Sequence, residues 1–207
     1  MSGTLENRTE VLYVSPLKAL GNDIQKNLDG PLAEIVALAR RHGDTVPEIR
    51  TAVRTGDTLM PARQAMLRTP PHILVTTPES LYILLTSAGG RSMLRTVKTV
   101  IVDEIHALGH DKRGAHLAIS LERLDALCGS RATRIGLSAT QKPIELAAKF
   151  LAGAVGEHER TSEQGVRPDP VIVQITPRRE LDVAIEVPPS ELGPVASNEM
   201  WSEIYDR

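Results

Sequence analysis

Short β-branched runs alternate with longer segments of helical period along most of this chain, and that alternation constrains the fold most. The runs are Val11–Val14, Ile49–Val53, Ile73–Thr76, Val100–Val102 and Ile135–Leu137. Each is apolar at successive positions, as a strand covered by helices on both faces must be. Between them, Leu17, Leu20, Ile24 and Leu28 recur every three or four residues. Leu117, Leu121, Leu124 and Cys128 do the same, as do Ile144, Ala147, Ala148 and Leu151. That spacing lines one face of a helix. Strands and helices in alternation predict an α/β fold with a mostly parallel central sheet. Helix stops are expected at Gly30-Pro31, Gly43 and Gly129.

After Gly153 the texture changes. Residues 156–170 are polar and read as a surface loop. Val171–Ile175 and Leu181–Val187 read as two more strands, and Met200, Trp201, Ile204 and Tyr205 as the start of another element. The expected partition is therefore a short lead over residues 1–10, one domain over 11–153, and a passage toward a further domain over 154–207.

Composition excludes several classes of function. The 24 Lys and Arg against 26 Asp and Glu leave a net charge of −2, so any nucleic-acid contact must be local. Aromatic residues make up only 2%, which argues against a single-strand binder built from stacking platforms. Cys128 is the only cysteine, so there is no internal disulfide and no cysteine zinc cluster. No apolar run approaches the ~20 residues a membrane helix needs, and the first ten residues lack an apolar signal region. A reducing cytoplasm is the expected compartment.

The segment Val100-Ile101-Val102-Asp103-Glu104-Ile105-His106 carries the strongest chemical signal. An apolar strand there delivers two adjacent carboxylates at its carboxyl end, where open α/β sheets place ligands. One acid at such a position can hold Mg²⁺ through water, and its neighbour can activate a water molecule. The plainer reading is a helix cap at Asp103 with Glu104 in the first turn. Three more strand-to-helix junctions weigh against the plainer reading. Ser15-Pro16-Leu17-Lys18 and Thr77-Pro78-Glu79-Ser80 precede the acidic pair, and Ser138-Ala139-Thr140 follows it. Each alone is a common capping device; the four in this order form a pattern.

That pattern resembles superfamily 2 DEAD/DEAH-box helicases, and within them the large helicase-related (Lhr) ATP-dependent DNA helicases. DEIH is similar to motif II, SAT to motif III, SPLKAL to motif Ia and TPES to motif Ib. The stretches VLYVSPLKALGNDI, VRTGDT, ILVTTPESLYILLTS and VDEIHALGHDKRGAHLAISLERL also look like that group. The resemblance covers residues 11–153 and implies a RecA-like three-layer sandwich, here truncated at its N-terminal side. It implies ATP and Mg²⁺ as cofactors, with Asp103 holding the metal through water and Glu104 acting as catalytic base. His106 would answer to the γ-phosphate side or the domain interface. Ser138, Ala139 and Thr140 would couple hydrolysis to movement. Ser15, Pro16, Lys18, Thr77, Pro78, Glu79 and Gly56 would line a track for single-stranded DNA, with RNA or a hybrid as alternatives. Asp57 and the Arg113-Gly114 pair match the group without an assigned role.

The departures carry their own expectation. The family's G-x-x-x-x-G-K-[ST] phosphate loop should precede motif Ia, yet ten residues precede Val11 and the sequence contains no Gly-Lys pair. Motifs IV to VI of the second motor domain are also missing. These residues alone are therefore expected to be catalytically incompetent, and a passive nucleic-acid or partner-binding module is the alternative. A metal hydrolase using His106, His110 and His116 fits poorly, because the H-E-x-x-H glutamate is missing and Gly109 interrupts the segment.

Overall fold

Val11–Val14 (β1) is the middle strand of the sheet, and its backbone pairs on both sides. The computed structural model describes residues 5–16, 18–44, 46–108, 111–139, 143–153, 170–174 and 201, with the backbone alone for 18–27. After β1 come α1 (Lys18–Arg41), β2 (Thr51–Arg54), α2 (Met60–Arg68), β3 (Ile73–Thr76), α3 (Pro78–Thr86) and α4 (Ala88–Leu94). The chain continues with β4 (Thr99–Val102), α5 (Ile105–Leu108), α6 (Lys112–Cys128), β5 (Thr133–Gly136) and α7 (Ile144–Ala152). It divides into two compact units, Met1–Ile172 and Val173–Arg207, and every element just named lies in the first. No described helix is long and apolar enough to cross a membrane.

All pairings are parallel, in the order β2-β3-β1-β4-β5. Right-handed crossovers through that order put α1 against one face and α2 to α6 against the other. The packing agrees: α1 touches β2 and β3, whereas α3, α4 and α6 pack on one another. The strands contribute Leu12, Val14, Leu74, Val100 and Val102 to one core. Leu81, Leu94, Leu108, Leu117, Leu121 and Leu124 close it from the helices. The stripe Leu117, Leu121, Leu124 and Cys128 thus faces inward on α6, as its spacing predicts.

Several boundaries differ from expectation. Gly30-Pro31 does not stop α1, which runs through Pro31 to Arg41. Proline removes one backbone donor and disfavours a helix interior, but the downstream LAEIVALARR is rich in strong helix formers. Arg40 and Arg41 also suit the negative end of the helix dipole. The stops at Gly43 and Gly129 hold, with φ of 83° and 67° in the left-handed region that glycine enters freely. Ile49 and Arg50 lie outside β2. Val171–Gln174 form no strand, and Val171 and Val173 are 88% and 79% exposed. Strand propensity alone does not make a strand. Ile175 and Leu181–Val187 lie outside the described residues.

β5 also departs from the fully buried pattern. Among the described residues it pairs with β4 alone, and Ile135 and Leu137 are exposed. Its anchor is Arg134, whose nearly buried guanidinium bonds Asp125 at 2.7 Å and Glu122 at 3.1 Å on α6 and the Leu151 carbonyl at 3.0 Å on α7.

The core assignment has a direct test. Leu124→Ala removes a side chain with no solvent exposure and should destabilise the fold by ~2–5 kcal/mol in urea melts. Ile119→Ala on the same helix, at a position 63% exposed, should stay within ~0.5 kcal/mol of wild type.

Candidate functional site

Register decides where the chemistry gathers. Arg54, Thr76, Val14, Val102 and Gly136 form one row across the five strands. The residues immediately after that row emerge together at the carboxyl edge of the sheet. Ser15 donates its N–H to the Thr76 carbonyl at 3.0 Å, Asp103 to Val14 at 2.9 Å and Leu137 to Val102 at 2.9 Å. The ladder thus continues one residue past β1, β4 and β5, fixing Ser15 against β3 and Asp103 against β1. Gly56, Thr77, Asp103 and Ser138 all lie one or two residues beyond the row.

The acidic segment is held by its own backbone. Asp103 Oδ1 accepts the Glu104 N–H at 2.9 Å. Glu104 has φ of 48°, the only non-glycine residue at positive φ among those described, and such a conformation costs of order 1 kcal/mol. The Ile105 N–H then bonds the Leu137 carbonyl at 3.0 Å, tying the start of α5 to the end of β5. His106 bridges the two segments. Its Nδ1 accepts the Ala139 N–H at 3.3 Å, and Ser138 Oγ lies 3.5 Å from the same nitrogen. The Nδ1 acceptor role places the proton on Nε2, which stands 3.2 Å from Glu104 Oε2. Glu104, His106, Ser138 and Ala139 therefore form one connected group. Thr140 lies outside the described residues.

Tyr13 joins this site unannounced by the motifs. Its hydroxyl hydrogen-bonds Asp103, and burial, with Asp103 and Glu104 nearby, pushes its pKa well above the ordinary phenol value. The phenol stays protonated and donates to the carboxylate. Parallel pairing of β1 with β4 was the signal, because it sets Tyr13 opposite Ile101 two residues before Asp103.

The loops after β1 and β3 form the other half. Thr77 caps α3, its Oγ1 accepting the Ser80 N–H at 3.3 Å, and Pro78 occupies the first turn where no donor is needed. Glu79 projects from that turn and accepts from Arg113 Nε at 2.6 Å. Burial raises its pKa, but the bond and charge of Arg113 outweigh that and hold the carboxyl below its ordinary 4.5. The pair is therefore intact above that value and lost as pH falls through the depressed one. Arg113 Nη2 also donates to the Pro16 carbonyl at 2.8 Å. Ser15 is 1% exposed and its hydroxyl has no hydrogen-bond partner among the described residues. Gly56 is exposed, with its carbonyl held by Arg63 Nη2 at 2.7 Å. Lys18 opens α1, and its side chain lies outside the described residues.

The model of the DEAD/DEAH box helicase family matches residues 2–148. The chain belongs to that family. Among curated relatives of this helicase domain, the Lhr helicase/probable uracil glycosylase of Mycolicibacterium smegmatis is 46% identical over 200 residues. That alignment covers 96% of this chain and 12% of the relative. The ATP-dependent helicase Lhr-Core of Methanothermobacter thermautotrophicus is 47% identical over 204 residues, covering 99% of this chain and 22% of its own length. The structure of Mycobacterium smegmatis helicase Lhr bound to ssDNA and AMP-PNP matches with a TM-score of 0.69 and 56% identity. It covers 72% of this chain and 19% of that one. The fold is thus the RecA-like fold of helicase motor domains, and the chain spans a quarter or less of the relatives it matches.

Strain at Glu104 gives a test independent of catalysis. Glu104→Gly relieves the left-handed backbone and should raise Tm by a few degrees over Glu104→Gln in thermal melts. An equal or lower Tm for the glycine variant would show that the conformation costs nothing here.

Proposed function

We propose that this chain is part of the first motor domain of an Lhr-type helicase, supplying the carboxylates for ATP hydrolysis and one wall of a single-stranded DNA track. The observation that carries the reading is the flush row of strand ends, which sets Asp103-Glu104 between the Ser15-Pro16 and Ser138-Ala139 segments. In the longer protein, ATP would bind against this edge and the strand would pass over the loops after β1, β2 and β3.

The donor set fits a water-rich cation. Asp103 presents one carboxylate at the sheet edge, and no cluster of three or more metal-ligating side chains exists among the described residues. Mg²⁺ keeps most of its waters and takes one or two carboxylates plus substrate phosphate, so Asp103 suffices as the protein ligand on this domain. When bound, Mg²⁺ supplies neutralisation of charge developing on the phosphates. Tyr13 and the Glu104 N–H hold Asp103 in place, which leaves its other lone pairs for water. Glu104, the neighbouring carboxylate, is the group that would take a proton from attacking water. His106 keeps Glu104 beside Ser138-Ala139, so a shift of one segment is felt by the other. A strand bound at Ser15, Pro16, Lys18, Thr77, Pro78, Glu79 and Gly56 would be held by backbone and hydroxyl contacts, which position without reading sequence. The partners are then single-stranded DNA and a second motor domain, which carries the arginine finger.

These 207 residues contain no Gly-Lys pair, so we place turnover in the longer protein and not in this segment. Phosphate release by the 207 residues should stay at background with single-stranded DNA present; DNA-stimulated turnover lost in Glu104→Gln would overturn that. In a protein with both motor domains, Glu104→Gln should abolish turnover and keep ATP binding, whereas Asp103→Ala should weaken Mg²⁺-dependent binding too. Equal loss of binding in both variants would reverse the division of roles. DNA binding by the 207 residues should be weak, independent of sequence and steeply salt-dependent. It should weaken in Lys18→Ala, and affinity that ignores both salt and Lys18 would place the DNA on another surface.

A further inference from the structure

Arg113 is the one described residue whose side chain bonds two of the loops assigned to the strand track, those after β1 and β3. Nε meets Glu79 Oε1 at 2.6 Å, and Nη2 meets the Pro16 carbonyl at 2.8 Å. Those loops are 63 residues apart in sequence and leave adjacent strands, since β1 pairs directly with β3. A guanidinium can do this because its donors lie in one rigid plane.

The base of the clasp is equally fixed. Arg113 sits in the first turn of α6, capped by Asp111, whose Oδ1 accepts the Gly114 N–H at 2.9 Å. A Cβ on Gly114 would fall 1.8 Å from the Leu108 carbonyl oxygen, so only glycine lets the end of α5 approach α6 this closely. α5 begins immediately after Asp103-Glu104 and carries His106. Two adjacent residues of α6 therefore meet the end of α5, through Gly114, and the track loops, through Arg113. Both side chains of the pair are partly solvated, at 42% and 53% exposure. Such a pair adds little to global stability. Its geometry does something else.

We propose that Arg113 is a positioning residue that clasps the loops after β1 and β3 into one continuous strand track and registers that track to the Asp103-Glu104 segment. It does not contact the phosphates itself. This rests on the single-strand reading above.

Anisotropy with a labelled oligothymidylate and the 207-residue protein tests it across a salt series. Arg113→Ala should bind about tenfold more weakly, while the slope of log affinity against log salt stays at the wild-type value. A residue that touched a phosphate would instead lower that slope by about 0.7 for each phosphate it neutralised. Arg113→Lys should fail to restore affinity, because a single ammonium cannot bridge both acceptors in that plane. Glu79→Ala should cost less, because it also removes the carboxylate's charge, and combined with Arg113→Ala it should bind no more weakly than Arg113→Ala alone. Hydrogen exchange without DNA supplies the independent readout. In Arg113→Ala the amides of Ser15, Ser80 and Leu81 should exchange faster while Tm is unchanged. A reduced salt slope, rescue by lysine, or unchanged exchange at those amides overturns the clasp. Wild-type protein that binds no oligothymidylate overturns the single-strand reading and, with it, the role of Arg113 on the track.

Discussion

Everything at the site depends on β1 being paired on both sides in one register. Val14 stands opposite Thr76 on β3 and Val102 on β4, and the row extends to Arg54 and Gly136. Because all five strands run parallel, their carboxyl ends meet at one edge. The exits then diverge: β1 feeds α1 on one face, and its neighbours feed helices on the other. Backbone N–H and C=O groups beyond the row have no further strand to pair with and must find partners or a ligand. Crevices of this kind are where open α/β sheets bind. Leu12, Val14, Leu74, Val100 and Val102 beneath the row are essentially inaccessible, so slipping any strand would expose apolar surface and break the ladder.

On that rigid base the acidic segment is the strained part. Glu104 adopts a backbone conformation that glycine would take more cheaply, yet a glycine would carry no carboxylate. Three contacts hold it there: the Asp103 carboxylate on its own N–H, the Ile105 N–H on the Leu137 carbonyl, and His106 against its side chain. Strain retained where surrounding bonds over-determine it is a mark of functional sites. The same three contacts make Glu104 sensitive to the end of β5. Since β5, like β2 at the opposite end of the sheet, is paired on one side only among the described residues, it has fewer ladder bonds to resist a shift than the three inner strands.

Much of the fold was legible in the sequence because period and burial agree there. Val11–Val14 and Ile73–Thr76 have the expected bounds, and the inward stripe of α6 lies where its spacing put it. Reading failed where a local rule met a stronger context. Pro31 is a helix breaker by rule, but helix formers downstream carry α1 past it. Val171–Gln174 have strand composition yet form no strand. At the site, the motif residues could be named in advance, whereas their connections could not. Tyr13 looked like one more apolar strand residue until β1 and β4 were set side by side. Arg113 had no role until α6 placed it over Pro16 and Glu79.

Charge explains why that last placement matters. A chain of net charge −2 cannot draw in an anionic strand through its overall field, so attraction must come from local groups. The start of α3 is favourable for phosphate, because helix N-termini present N–H donors and a positive dipole end. Glu79 sits in that turn and suits the same dipole, but an unpaired carboxylate would repel a phosphate brought to the track. At ~4 Å two like charges cost ~1 kcal/mol in water and several times that where the surface lowers the effective dielectric. Arg113 removes this conflict, because its guanidinium neutralises Glu79 while the backbone donors of α3 stay in place. On the proposed track Glu79 would thereby serve as the anchor for Arg113 and not as a barrier to the strand.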